Sequence, residues 1–278
     1  MAKRLLNTEA LAAKTDWTAR YGDLGCESSA GGQEDSREGG LEPERGWVSP
    51  PEDASLDESA LAGMGSGTRG LFITFEGLDG SGKSTQITRL AGALTAALYD
   101  VLTVREPGGT GVGEAVRRVL LDTEHRGMVP RAEALLYAAA RAQLVEEVIR
   151  PALDEGRIVL SDRYIDSSLA YQGYGRGLTV EDVLMLNVWA TECLFPDLTI
   201  ALLVDDDTRA ERADGEVDRL ESEAASFFQR VAEGYRSLAD EHPHRVRVVD
   251  GRGTVDEVHA AIVAVVEEEF GLFSAPAP

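Results

Sequence analysis

Several things are scarce in this chain. Cysteine is nearly absent: among 278 residues only Cys26 and Cys193 occur, with no Cys-x-x-Cys spacing. A disulfide framework or a zinc site is not expected, and a reducing cytosolic setting fits. Long apolar runs are missing too. The longest are about strand length, so no membrane span is suggested. No apolar stretch follows Lys3 and Arg4, so the N-terminus does not read as a secretory signal. Positive charge is in deficit, with 27 Lys and Arg against 49 Asp and Glu and a net charge of −22. Such a chain is a poor partner for a nucleic-acid backbone or an anionic membrane. A local arginine cluster can still dominate a single cleft.

What is present divides the chain in two. Residues 1–68 are acidic and rich in Gly, Ser, Glu and Pro. That composition buries too little apolar surface to offset chain entropy, so the segment is expected to be disordered. A docking or regulatory tail is the functional alternative. Met64, just ahead of the first apolar run, is a candidate start codon, which would make residues 1–63 an upstream extension. A peptide from before Met64 in the mass spectrum of the native protein would refute that reading.

From residue 69 to 278, strand and helix patterns alternate. Strands are predicted at 71–77, 100–106, 157–162, 198–205 and 245–250. Helices are predicted at 83–98, 111–122, 131–153, 179–193, 219–240 and 254–270. Strands that are apolar nearly throughout are buried on both faces. Their alternation with helices predicts an α/β fold with a parallel sheet covered by helices. Right-handed crossovers then bring all the C-terminal strand ends to one side, where ligands bind.

The stretch GLDGSGKS, Gly77 to Ser84, fits a phosphate-binding loop, and its context is right: a strand precedes it and a helix follows. Its backbone N–H groups and the helix N-terminus collect anions. Lys83 is placed to reach the β- and γ-phosphates, and Ser84 to bind Mg²⁺. Asp79 is an anomaly, a carboxylate inside an anion nest. Only Asn7 and Asn187 occur, and neither opens an Asn-Lys-x-Asp guanine reader, which argues against a GTP switch. Nor does the folded region carry an ABC-type ATPase signature. Asp162 ends an apolar run as a Mg²⁺-supporting acid does. Asp205 looks similar but reads better as the polar end of a buried strand.

Two arginines, Arg105 and Arg163, end the second and third predicted strands on the ligand side. Guanidinium groups bind phosphate bidentately, so the pair suggests a second phosphate site facing the first. Glu133, Tyr137 and Arg141 fall on one helix stripe that could stack on and read a flat base. Taken alone, such a stripe is more often a half-exposed helix face. Residues 209–223 carry Arg209, Arg212 and Arg219 among acids. A charge run is usually a solvated face, but a kinase needs a mobile lid with a cation at this part of the chain.

These pieces together resemble one family. FITFEGLDGSGKSTQ, REPGGT, AEALLYAAARAQLVE, SDRYIDSSLAYQG, FPDLTIALLVD and DGEVDRLE occur in the order found in bacterial thymidylate kinases, from about Leu71 to Phe270. The resemblance implies the nucleoside-monophosphate kinase fold, a five-stranded parallel sheet, ATP-dependent conversion of dTMP to dTDP, Mg²⁺, a cytoplasmic location and a homodimer. ATP would lie on Gly77, Leu78, Asp79, Gly80, Ser81, Gly82, Lys83, Ser84 and Thr85. For dTMP, the family pattern implies Asp79 at the 3′-hydroxyl, Arg105 and Arg163 on the phosphate, and Tyr137 stacked on thymine. It puts Arg141 at a thymine carbonyl, Ser168 and Gln172 near the base, and Tyr171 crowding the 2′ position. Asp162 and Ser84 would face Mg²⁺. The chain departs from the pattern twice. Tyr137 replaces the usual Phe, and Asp214 stands where some relatives carry a lid arginine. The phosphate loop has Gly80 and Ser81 but no arginine, so the catalytic cation is expected from the lid, at Arg212. Lys83 and Arg163 complete the expected catalytic set. Another nucleoside-monophosphate kinase, or a nucleotide-binding module without turnover, is the alternative.

Overall fold

The first strand shows why the chain folds around it. Every residue of β1 (Leu71–Glu76) is buried, as expected of a strand covered on both faces. In the computed structural model, whose described residues are 69–212 and 219–273, β1 is central in a five-stranded parallel sheet. The expected extension over 1–68 and the middle of the expected lid lie outside the described residues. The other strands are β2 (Val101–Arg105), β3 (Ile158–Asp162), β4 (Leu198–Leu203) and β5 (Val246–Asp250). Their order is β2-β3-β1-β4-β5, with every pairing parallel.

That order has a consequence for ligands. The chain leaves β1 toward β2 on one side and later returns to β4 on the other. The C-terminal end of β1 is thus the topological switch point, where parallel sheets open a crevice. Gly77 begins there. The registers pair Phe75 with Asp162 and Arg105 with Asp162, so the ends of β1, β2 and β3 finish level.

Side-chain alternation along β1 builds two cores. Leu71, Ile73 and Phe75 pack against Ile87, Leu90 and Leu94 of α1 (Lys83–Ala96). On the same face lie Val258, Ile262 and Val266 of α9 (Val255–Phe270). Phe72 faces the other way, edge-on to Tyr164 at 4.8 Å. Around it lie Leu144 of α3 (Pro130–Leu144), Val183 and Val188 of α6 (Val180–Thr191), and Ile149. A third cluster, with Leu78, Tyr171, Leu220, Phe227, Phe228 and Tyr235, sits beside the ligand end of the sheet.

The remaining helices refine the expected boundaries. α2 spans Gly111–Leu121, with Thr110 capping it by accepting from Gly113 N–H. The predicted single helix over 131–153 is three pieces: α3, a π-helical stretch Val145–Ile149, and α4 (Arg150–Asp154). Pro151 has no N–H to offer the preceding turn, and the helix widens just before it. Two short helices were not anticipated. α5 (Ile165–Ser168) runs into a second π-helical stretch, Leu169–Gly175, and α7 spans Asp206–Arg212. The helix expected from 219 starts later, as α8 (Ala225–Glu241). Residues 219–224 are held out of it: Arg219 N–H donates to the Leu121 carbonyl at 3.2 Å, and its Nε to the Leu120 carbonyl at 2.7 Å. Among the described residues no helix is long and apolar enough to cross a membrane.

Candidate active site

The phosphate loop joins β1 to α1 by left-handed turns at its glycines. Gly77 has φ +133°, and a Cβ there would lie 2.3 Å from the Leu202 carbonyl oxygen. Only glycine fits that approach. Lys83 opens α1 and curls back, its Nζ donating to the carbonyls of Gly77 (3.1 Å) and Leu78 (3.0 Å). Burial lowers the pKa of this amine, as does the nearby Arg163 charge, against Asp79, Asp162 and Glu76. The Ser84 hydroxyl donates to Asp162 Oδ2 at 2.8 Å, bringing one hydroxyl and one carboxylate oxygen together at the crevice.

Asp79 leans from the loop toward β3. Arg163 Nη2 donates to its Oδ1 at 2.6 Å, and Lys83 Nζ lies 3.8 Å away. Desolvation would raise its carboxyl, but Arg163 and then Lys83 outweigh it and hold the group well below the usual carboxylate range. Arg163 is itself unusual, with φ +73° in a residue that has a Cβ. Such a backbone persists only where surroundings over-determine it, and it clusters at functional sites. Here Nη1 donates to the Gly77 carbonyl (2.9 Å) and the Ser167 hydroxyl (3.1 Å). The guanidinium also lies 5.0 Å from the Tyr171 ring centroid.

Two cavities meet at these residues. The larger, about 700 Å³, is lined by Gly80, Gly82, Lys83, Ser84, Thr85, Arg105, Asp162 and Arg212. The smaller, about 170 Å³, is lined by Tyr137, Ser168, Tyr171, Gln172, Leu121 and Leu220. Asp79, Glu106, Arg117 and Arg163 line both. A third cavity of about 260 Å³ extends past Gly82, Thr85 and Arg212 to Gly251, Gly253 and Val258. The motifs in the sequence do not mark that last corner, although the Gly-Arg-Gly-Thr run after β5 is its visible trace.

Most of the expected residues therefore converge. Arg105 lines the larger cavity while paired with Glu114 at 3.0 Å. Arg141 stands differently from the expectation, behind the wall and only 1% exposed. Its Nε donates to Glu106 Oε2 at 2.7 Å, Nη1 to the Ser168 hydroxyl at 2.9 Å and to Asn187, and Nη2 to the Tyr164 carbonyl at 2.8 Å. To reach a base it would have to exchange one of these partners. Leu78 also departs, packing into the apolar cluster with Tyr171. Of the three arginines in the charged run, Arg212 reaches the cleft, its Nη1 on the Gly251 carbonyl at 2.8 Å. Arg209 lies 4.1 Å over the Phe228 ring, and Arg219 is a buried anchor, 2.7 Å from Glu133.

Glu76, Glu106, Arg117 and Arg176 carry no signal in the sequence that marks them as site residues. Glu76 was hidden because it looked like the last residue of a strand. It is fully buried and accepts from Tyr164 N–H at 2.7 Å, from the Ser167 hydroxyl and from the Tyr235 hydroxyl at 3.2 Å. Ser167 and Tyr235 also contact Arg163, so Glu76 supports that guanidinium from behind. Burial, then the neighbouring Asp166 carboxylate, pushes its carboxyl from 4.5 to about 8. An acid whose pKa is raised by folding holds its proton in the fold. Its stabilising contribution is complete below about pH 4.5 and is lost as pH rises through about 8. Thermal unfolding from pH 6 to 9 is expected to show declining stability in the wild type and a flatter profile in Glu76→Gln. An identical slope in both would contradict this.

Two cavities sharing a wall of two carboxylates, Asp79 and Glu106, and two guanidinium groups, Arg117 and Arg163, at the switch point of a parallel sheet, suit transfer of a phosphoryl group between two phosphorylated ligands. The fold and site define a phosphate-loop kinase of the nucleoside-monophosphate type. The comparisons agree and go further. The family described as Thymidylate kinase matches residues 75–262. A thymidylate kinase of Caldanaerobacter subterraneus subsp. tengcongensis is 49% identical over 201 residues, covering 72% of this chain and 96% of that one. One from Bifidobacterium longum is 47% identical over 202 residues, covering 72% and 98%. The crystal structure of thymidylate kinase from Ehrlichia chaffeensis superposes with a TM-score of 0.59 at 34% identity, covering 71% of this chain and 99% of that one. The chain belongs to the thymidylate kinase family.

Proposed function

We infer that the chain phosphorylates dTMP to dTDP with ATP as donor. The observation that carries this is the shared wall: Asp79 and Arg163, 2.6 Å apart, face both cavities at once. ATP phosphates would occupy the larger cavity on the loop from Gly77 to Thr85, with the base toward the third cavity. dTMP would place its phosphate between Arg105 and Arg163, its base under Tyr137 beside Ser168 and Gln172, and its sugar between Tyr171 and Asp79. Tyr171 would crowd a 2′-hydroxyl, and Asp79 would accept from the 3′-hydroxyl. Arg141 would act on the base edge through Ser168, or directly after giving up a partner.

A dTMP phosphate oxygen attacks the γ-phosphorus in line, the bond to the β–γ bridging oxygen breaks, and ADP leaves. The phosphate is already largely ionised, its second pKa being about 6, so no general base is required. Catalysis rests on positioning and on positive charge around the moving group. Lys83, Arg163 and Arg212 supply that charge. Ser84 and Asp162 offer the hard oxygen donors suited to Mg²⁺, which characteristically takes few protein ligands and completes its shell with phosphates and water. When bound there, Mg²⁺ would neutralise charge on the β- and γ-phosphates.

Arg212 is tied to the Gly251 carbonyl and its side chain is exposed, so it is free to be recruited. Arg212→Ala is expected to lower kcat well beyond its effect on KM for dTMP. A change in dTMP affinity alone would make Arg212 a binding residue instead.

A homodimer is supported by an apolar face. Met185 and Trp189 stand one turn apart on α6, and Trp189 is 82% exposed; Leu135 of the neighbouring helix α3 is 57% exposed. Grouped exposed apolar residues mark an interface. Sedimentation equilibrium should give twice the chain mass, and a monomer would remove the proposal. A cytoplasmic location is what the family resemblance implies.

The function is tested by ADP release with Mg-ATP and a panel of dTMP, dUMP and dGMP. dTMP should give the highest kcat/KM. No ADP with any of them would leave a binding module without turnover.

A further inference from the structure

Behind the smaller cavity lies a carboxylate that takes no part in the phosphoryl transfer. Glu133, on α3, is fully buried. The Gln172 side-chain amide nitrogen donates to its Oε1 at 3.0 Å. Arg176 donates to it twice, Nε to Oε1 at 3.1 Å and Nη2 to Oε2 at 3.0 Å, and Arg219 lies 2.7 Å away. Desolvation would raise the Glu133 carboxyl, but the bonds from Arg176 and Gln172 hold it below its ordinary value. It is therefore an anion at neutral pH, and a carboxylate anion only accepts hydrogen bonds.

An amide beside such a group has one satisfactory orientation. Its NH₂ must face Glu133, so its carbonyl is the polar end left to face the cavity that Gln172 lines. Tyr137, one turn along α3 from Glu133, lines the same cavity. One helix thus offers the ring for a base face and the carboxylate that sets what the base edge meets.

We propose that Glu133 is a positioning residue that locks the Gln172 carbonyl toward the acceptor base. The pocket then selects monophosphates of pyrimidines carrying an N–H at ring position 3 and rejects those presenting a lone pair there. Thymine and uracil carry that N–H. Cytosine presents a lone pair, which would oppose the fixed carbonyl. The inference rests on the acceptor-site reading above and adds the cause of its selectivity.

The test compares dTMP with dCMP, as kcat/KM and, independently of turnover, as Kd by calorimetry. In Glu133→Gln the new amide both donates and accepts, so Gln172 can turn over, and the dTMP preference should fall about tenfold to a hundredfold, the scale of one buried unmade hydrogen bond. In Gln172→Leu it should fall similarly. Arg176→Lys breaks the two-pronged pairing but keeps a cation beside Glu133 and leaves the Glu133–Gln172 bond, so it should cost stability while keeping the ratio. If Glu133→Gln does not fold, Gln172→Leu decides. An unchanged ratio in Gln172→Leu, or in folded Glu133→Gln, overturns the proposal, as does a ratio lost equally in Arg176→Lys. Absence of dTDP formation by the wild type would instead overturn the proposed function, and the Kd ratio would still decide this one.

Discussion

Lys83→Ala is expected to lower kcat by roughly a hundredfold or more, the usual cost of removing a preorganised charge donor. Lys83 is the only lysine beyond residue 14 in the whole chain, so no neighbouring amine can take its place. It is 6% exposed and already aimed at the loop carbonyls of Gly77 and Leu78. Its charge is therefore in place before the reaction begins. Alanine also leaves those two carbonyls without their partner, which costs some stability. Thermal unfolding separates the two effects: a folded variant with a large loss of kcat supports the role, and near-normal turnover refutes it.

Arg163→Ala should be comparably severe, roughly a hundredfold to a thousandfold in kcat with a raised KM for dTMP. The guanidinium touches Asp79, the Gly77 carbonyl, Ser167 and Tyr171, joining the loop to both cavities. Arg163→Lys keeps one charge but not the planar fork that serves these partners together, so most of the defect should remain. A lysine variant near wild-type activity would reduce Arg163 to a simple source of charge. Steady-state kinetics on both variants reads this directly.

Much of this was legible in the chain because the signals are local. The apolar run from Leu71, the glycines at 77, 80 and 82, and the arginines closing two strands each show within a few residues. The sheet order then brings them level by register alone. What stayed hidden depends on distant partners. Glu76 reads as a strand end until Ser167 and Tyr235 close over it. Arg141 reads as a base reader until Glu106, Asn187 and the Tyr164 carbonyl take its N–H groups. Arg219 reads as a lid cation until Leu120 and Glu133 bury it. The helix around Tyr171 and Gln172 was unanticipated because a π-helical turn has no pattern of its own in the apolar periodicity.

Asp79 is expected to let one loop hold donor and acceptor together. The direct measurement is Asp79→Ala, with KM for dTMP and kcat from steady-state kinetics and Kd for ATP from calorimetry. The expected result is a raised KM for dTMP or a reduced kcat, with ATP affinity largely intact. Loss of ATP binding with dTMP kinetics otherwise unchanged would contradict it and leave Asp79 as part of the loop's own structure.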